Sequence, residues 1–156
     1  MPILSAADLK ASLGRDQRLL GLDLGSKTIG LALSDVSRTI ATPLLTISRT
    51  KFTKDIKELF DVVDSKDVAG LIIGLPVSMD GTEGPRCQSV RQFATNLLAL
   101  RDLPIAFWDE RLSTAAVTRT LLEADTSRRR RAEVVDKMAA AYILQGALDA
   151  NPSTFH

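Results

Sequence analysis

The run Leu19-Leu20-Gly21-Leu22-Asp23-Leu24 constrains the fold most. It is too continuously apolar for a half-exposed edge and too short for a helix, which predicts a buried central strand. Gly25 then turns the chain. A side-chain period of two puts Asp23 on the same face as Gly21 and Leu19. A carboxylate therefore ends a strand whose neighbours are all apolar.

The segments that follow supply the rest of a sheet. Ile29 to Leu33 and roughly Ile40 to Ile47 predict two more strands, joined by connections short enough for antiparallel hairpins. Pro43 lacks a backbone donor and demotes the third strand to an edge. Ile56, Leu59, Phe60 and Val63 mark one face of a helix. Val68 to Gly74 predicts a buried strand, Val90 to Leu98 a helix opened by Cys87, and Pro104 to Trp108 the last strand. Ser113 or Thr114 caps a helix running to about Ala124. After the polar, basic segment from Asp125 to Arg131, Ala132 to Ala147 forms the strongest helix. Three hairpin strands followed by alternating helices and strands imply an α/β fold, a five-stranded mixed sheet with helices on both faces.

At 156 residues the chain makes one domain, expected over residues 19–149, with an N-terminal appendage at 1–18 and a tail at 150–156. In the appendage, Ser5 to Leu13 predicts a short helix capped by Ser5 and closed by Gly14. Hydrophobic residues at 45% and charged ones at 25% are the balance of a globular protein. One cysteine, Cys87, and one histidine, His156, leave no Cys/His zinc site and no internal disulfide, and Cys87 is expected to be a small packed residue. No apolar run approaches a membrane span, and Asp8, Lys10, Arg15, Asp16 and Arg18 predict neither signal peptide nor anchor. The expected location is the cytoplasm. Net charge is only +1, so any nucleic-acid partner must be met by local charge.

Three carboxylates could carry chemistry. Besides Asp23, Glu110 follows the strand ending at Asp109, and alternation groups it with Ala106 and Trp108 while sending Asp109 to the other side. Asp136 heads a helical stripe of Ala139, Ala140, Ile143 and Ala147, so it must be paired, protonated or metal-bound. Each also has a plain structural explanation: a turn cap for Asp23, a solvated strand end for Glu110, a buried salt bridge from Asp136 to Lys27 or Arg111. Two strand ends and a helix start can converge at one sheet edge. Oxygen ligands without His or Cys select Mg2+ or Mn2+, and two such ions about 3.5 to 4 Å apart serve phosphodiester hydrolysis.

Four blocks in order, Gly21-Leu22-Asp23-Leu24-Gly25-Ser26-Lys27-Thr28-Ile29-Gly30, Ile73-Gly74-Leu75-Pro76, Asp109-Glu110-Arg111-Leu112-Ser113-Thr114 and Val135-Asp136-Lys137-Met138-Ala139-Ala140 with Ile143-Leu144-Gln145, resemble the YqgF family, also called RuvX. They span residues 19 to about 149. The resemblance implies a ribonuclease H-like fold related to Holliday-junction resolvases, and a nuclease processing the 5′ end of precursor 16S ribosomal RNA. It places the family's acidic residues on Asp23, Glu110 and Asp136. A fourth carboxylate common in ribonuclease H-like enzymes has no clear match.

Lys27 and Arg111 fall within the blocks and are expected to bind the scissile phosphate or balance the carboxylates. Arg128, Arg129, Arg130 and Arg131 precede Asp136 closely enough to grip neighbouring phosphates, although such a run is often only a solvated segment. With few aromatics, contact with the nucleic-acid backbone should dominate over base reading. Ser113 and Thr114 have no histidine to activate them as nucleophiles. The alternatives are a DNase acting on four-way junctions, a non-catalytic module binding RNA or the transcription machinery, and an actin-like ATP-binding fold, which needs a second domain. A P-loop fails because GxxxxGK[ST] needs glycine where Ser26 stands.

Overall fold

The computed structural model describes residues 3–5, 8, 9, 13, 17–78, 80–112 and the helix 128–149, the side chains of that helix from Lys137 onward. Its strands are β1 (Ile3–Leu4), β2 (Arg18–Leu24), β3 (Thr28–Ser34), β4 (Ala41–Ser48), β5 (Val68–Leu75) and β6 (Ile105–Asp109). The described helices are α1 (Phe52–Ser65), α2 (Pro85–Leu100) and α3 (Arg128–Asp149), and a 3-10 turn spans Glu110–Leu112. The expected cap at Ser113 or Thr114, the helix after it and the tail lie outside the described residues.

The strands form one sheet in the order β1-β6-β5-β2-β3-β4. β2, β3 and β4 are an antiparallel meander, and β5 and β6 extend it in parallel from β2. With helices on both faces, this is the ribonuclease H-like arrangement. β4 is the edge that Pro43 predicts, and Pro43 sits at a register shift: Leu31 pairs with Leu45 but Ala32 with Pro43, leaving Leu44 as an extra residue.

The count of five strands is corrected to six. Ile3–Leu4 pairs parallel with Ile105 and Ala106, a pairing too short to announce itself by alternation. Further along, Leu9 is fully buried, packed on Gly70 and Leu19. The start of α3 is also corrected. The helix begins at Arg128, so the arginine run lies in its first turn and not in a segment before it, as suits a residue of high helix propensity.

β2 explains how the layers are built. Its even-numbered residues Leu20, Leu22 and Leu24 join the core under α1 and α2, with Ile56, Leu59, Val63, Val90, Phe93 and Leu97. On the opposite face Leu19 joins Ile72, Ala106, Trp108 and the α3 residues Ala140, Ile143, Leu144 and Ala147. α3 packs very close to the sheet. A Cβ on Gly21 would stand 2.7 Å from Leu144 Cβ and 2.9 Å from the Ala140 carbonyl oxygen. Gln145 ties the helix to the meander: its Oε1 accepts from Ala41 N–H at 2.8 Å and its Nε2 donates to the Thr39 carbonyl at 2.9 Å. Cys87 is buried in the α2 core, and burial pushes its thiol pKa up. No described helix is long and apolar enough to cross a membrane.

Candidate active site

Because β2, β5 and β6 are parallel, their C-terminal ends share one edge of the sheet. Asp23 is the next residue after the Leu22–Ile73 pair, which sets it beside Gly74, and Gly74 in turn pairs with Trp108. Adjacent strands are about 4.8 Å apart. Asp23 is only 3% exposed although its side chain is an ionisable carboxyl, and its face of β2 is the α3 face.

Glu110 reaches the same place by a different route from the one alternation predicts. It is the first residue of the 3-10 turn, not a further strand residue, and it is 5% exposed. Its Cγ would lie 3.3 Å from a Cβ on Gly74, so its side chain stands over that glycine. Ile143 of α3 presses on Gly74 from above. The missing side chain at Gly74 is thus what leaves room for a carboxylate between β5 and α3. Asp109 diverges from Glu110: it is half-buried and held by Arg111, whose Nη2 lies 2.6 Å from its Oδ2 and whose backbone N–H donates to its Oδ1 at 2.9 Å. The Arg111 guanidinium holds the Asp109 carboxyl below the usual carboxylate range.

Residues 17–150 match the RuvX family, described as Holliday junction resolvase. The chain belongs to the RuvX family. A protein of Paramagnetospirillum magneticum named "Putative pre-16S rRNA nuclease" is 78% identical over 149 residues, 96% of each chain. One of the same name from Rhodospirillum rubrum is 64% identical over 151 residues, 96% of this chain and 94% of its own. The fold of T. thermophilus RuvC in complex with a Holliday junction substrate covers 81% of this chain and 91% of that one, at 10% identity and a TM-score of 0.48.

The four sequence blocks of this RuvX chain fall on β2 with its turn into β3, the end of β5, the end of β6 with the 3-10 turn, and α3. The structure therefore brings Asp23 and Glu110 to one face around Gly74. Asp136 belongs to α3, one helical turn before Ala140, whose carbonyl packs on Gly21. Its side chain, like those of Arg128 to Arg131, lies outside the described residues. Among the described residues no three carboxylate, cysteine or histidine side chains cluster.

Lys27 is exposed on the β2–β3 turn, which closes by a 2.9 Å bond from Gly25 N–H to the Thr28 carbonyl. Arg111 is exposed beside the Asp80–Gly81 loop, and Gly81 turns there with φ of 89°. Sequence reasoning missed Gly74 as the residue that makes space, although it stands inside a quoted block. It also missed Arg49, which lies outside every block and reaches the turn only through the fold: its backbone N–H donates to the Lys27 carbonyl at 2.8 Å and its Nη1 to the Gly25 carbonyl at 2.6 Å.

Proposed function

We propose that this chain is a divalent-metal-dependent nuclease that acts in the cytoplasm on precursor 16S ribosomal RNA. The observation that carries the reading is the burial of Asp23 and Glu110 on one face around Gly74, at the edge where three parallel strands end. Burying carboxylates at one spot is costly unless positive charge compensates them. An all-oxygen donor set suits Mg2+ or Mn2+.

Asp23 and Glu110 fit such ions, and Asp136, one turn from the helix–sheet contact at Ala140, is the third ligand. When bound, the ions supply Lewis-acid stabilisation to the attacking and leaving oxygens of a phosphodiester. The chain's own residues do the rest. Lys27 and Arg111 bring positive charge to the phosphate, and the arginines at the start of α3 hold the backbone of the strand alongside. The close packing of Ile143 over Gly74 fixes where the Glu110 side chain can stand.

Incubating the protein and its Asp23→Asn variant with 5′-extended precursor RNA and with a four-way DNA junction, in magnesium and in EDTA, tests this. RNA cleavage is expected in magnesium alone. It should fall at least about 100-fold in the variant, the upper range for residues that merely support a metal ligand. Cleavage of the junction but not of RNA would move the reading to DNA, as the family's description has it. Binding without cleavage of either would leave a non-catalytic nucleic-acid module.

A further inference from the structure

A cleft of about 280 Å³ opens beside the β2–β3 turn, between that turn and the first turn of α2. We propose that Arg49 and Arg86, which line it, form a nucleotide subsite that grips the backbone phosphate of a single RNA strand. The cleft begins at Leu24 and Gly25, the two residues that follow Asp23, so it opens at the same end of β2 as the carboxylates, on the α2 side of the sheet where they are on the α3 side. This subsite rests on the nuclease reading and adds a contact surface distinct from Lys27, Arg111 and the arginines of α3.

Three observations carry it. First, the two guanidinium groups have no carboxylate partner among the described residues: the ion pairs there join Arg91 to Glu83, Arg101 to Asp64 and Arg111 to Asp109. Second, Arg49 is already held in place by its bonds to the Gly25 and Lys27 carbonyls and by the Phe93 ring, 6.0 Å from the guanidinium carbon. A fixed fork loses little freedom when it binds a phosphate. Third, Arg86 occupies the first turn of α2, which contains no acidic residue. A cation there opposes the helix dipole, and a bound anion offsets both charges.

The remaining lining selects the ligand. Ser89 offers a hydroxyl, while Leu24 and Val90 offer an apolar wall for the face of a sugar or base. The volume lies at the lower limit of small-molecule pockets and suits one nucleotide. A paired strand, whose base faces are covered by stacking on their neighbours, cannot lay a base on that wall.

Fluorescence anisotropy with a labelled single-stranded RNA, and with the same RNA as a duplex, tests the subsite in full-length protein carrying Asp23→Asn so that the probe stays intact. Adding Arg86→Gln should weaken single-strand binding about tenfold, the loss of one charged hydrogen bond. It should also lower the salt slope by about 0.7. Arg86→Lys should keep the slope, because it keeps the charge. Arg49→Gln should weaken binding likewise, and its melting temperature reports whether the turn is intact. Unchanged affinity and slope in Arg86→Gln, with the parent still binding, would overturn the subsite alone. Losses confined to the duplex would overturn the single-strand assignment. A parent that binds neither probe would remove the nuclease reading and the subsite together.

Discussion

The Glu110 side chain occupies space that Gly74 leaves open, its Cγ 3.3 Å from where a Cβ on Gly74 would be. That Cβ would also run into Ile143 Cδ1, so Gly74→Ala meets a collision with Ile143 and a tight contact with Glu110. Overpacking of this kind costs about 1 to 3 kcal/mol. The relief available is to push Ile143 or Glu110 outward. Gly74→Ala should therefore lose RNA cleavage out of proportion to its loss of stability, as read by initial rates at a temperature where thermal unfolding shows the variant folded. Full activity would mean that Ile143 alone yields and that Glu110 is not confined by the glycine.

Asp109 and Arg111 make stability depend on acid. Arg111 lowers the folded-state pKa of Asp109, so the folded protein holds the carboxylate charged at pH values where the unfolded chain has begun to protonate it. The contribution is fully present above the ordinary carboxylate value of about 3.9 and disappears as pH falls through the lower folded value. Arg111→Gln should remove that part of the acid limb. Melting temperatures of the two proteins should differ at neutral pH and converge below about pH 4. A constant difference across the range would mean that Arg111 acts through contacts other than the Asp109 charge.

The position of the arginine run inside α3 gives a third prediction. Neutralising two of the residues Arg128 to Arg131 should weaken binding to RNAs of unrelated sequence alike and reduce the salt slope by about 1 to 2. Glutamine is the replacement of choice, because it keeps helix propensity near that of arginine. Anisotropy titrations from low to moderate salt measure the slope. No change in it would assign the run to solvent.

Much of this was legible because burial and alternation act locally. The β2 run announced a central strand because both of its faces are covered, and Pro43 announced an edge because a missing donor is a property of one residue. Asp23 stood out for the same reason: a charge in an apolar strand is an anomaly that needs no partner to be seen. Glu110 was identified but its route was not, since a 3-10 turn that redirects one side chain leaves no period in the sequence. β1 and Arg49 were illegible on physical grounds. A two-residue strand is defined by what it pairs with, and Arg49 matters through carbonyls more than twenty residues away along the chain.

Asp136 is where the three-ligand site stands or falls. The helix that carries it is placed by Ala140, Ile143 and Leu144 against Gly21 and Gly74, the same face on which Asp23 and Glu110 are buried. A third carboxylate on that face, as the proposed site has it, would raise mutual repulsion when no cation is present and add affinity when one is. Asp136→Ala should therefore be as stable as the parent, or more so, in EDTA. Magnesium should raise the melting temperature of the parent in proportion to the logarithm of its concentration above Kd, and should scarcely move the variant. Thermal unfolding of both proteins across a magnesium titration measures the two effects separately. Equal metal-induced shifts would place Asp136 outside the site. A loss of stability in metal-free Asp136→Ala would instead show that the carboxylate is engaged in a stabilising salt bridge, for which Lys27 and Arg111 are the candidates.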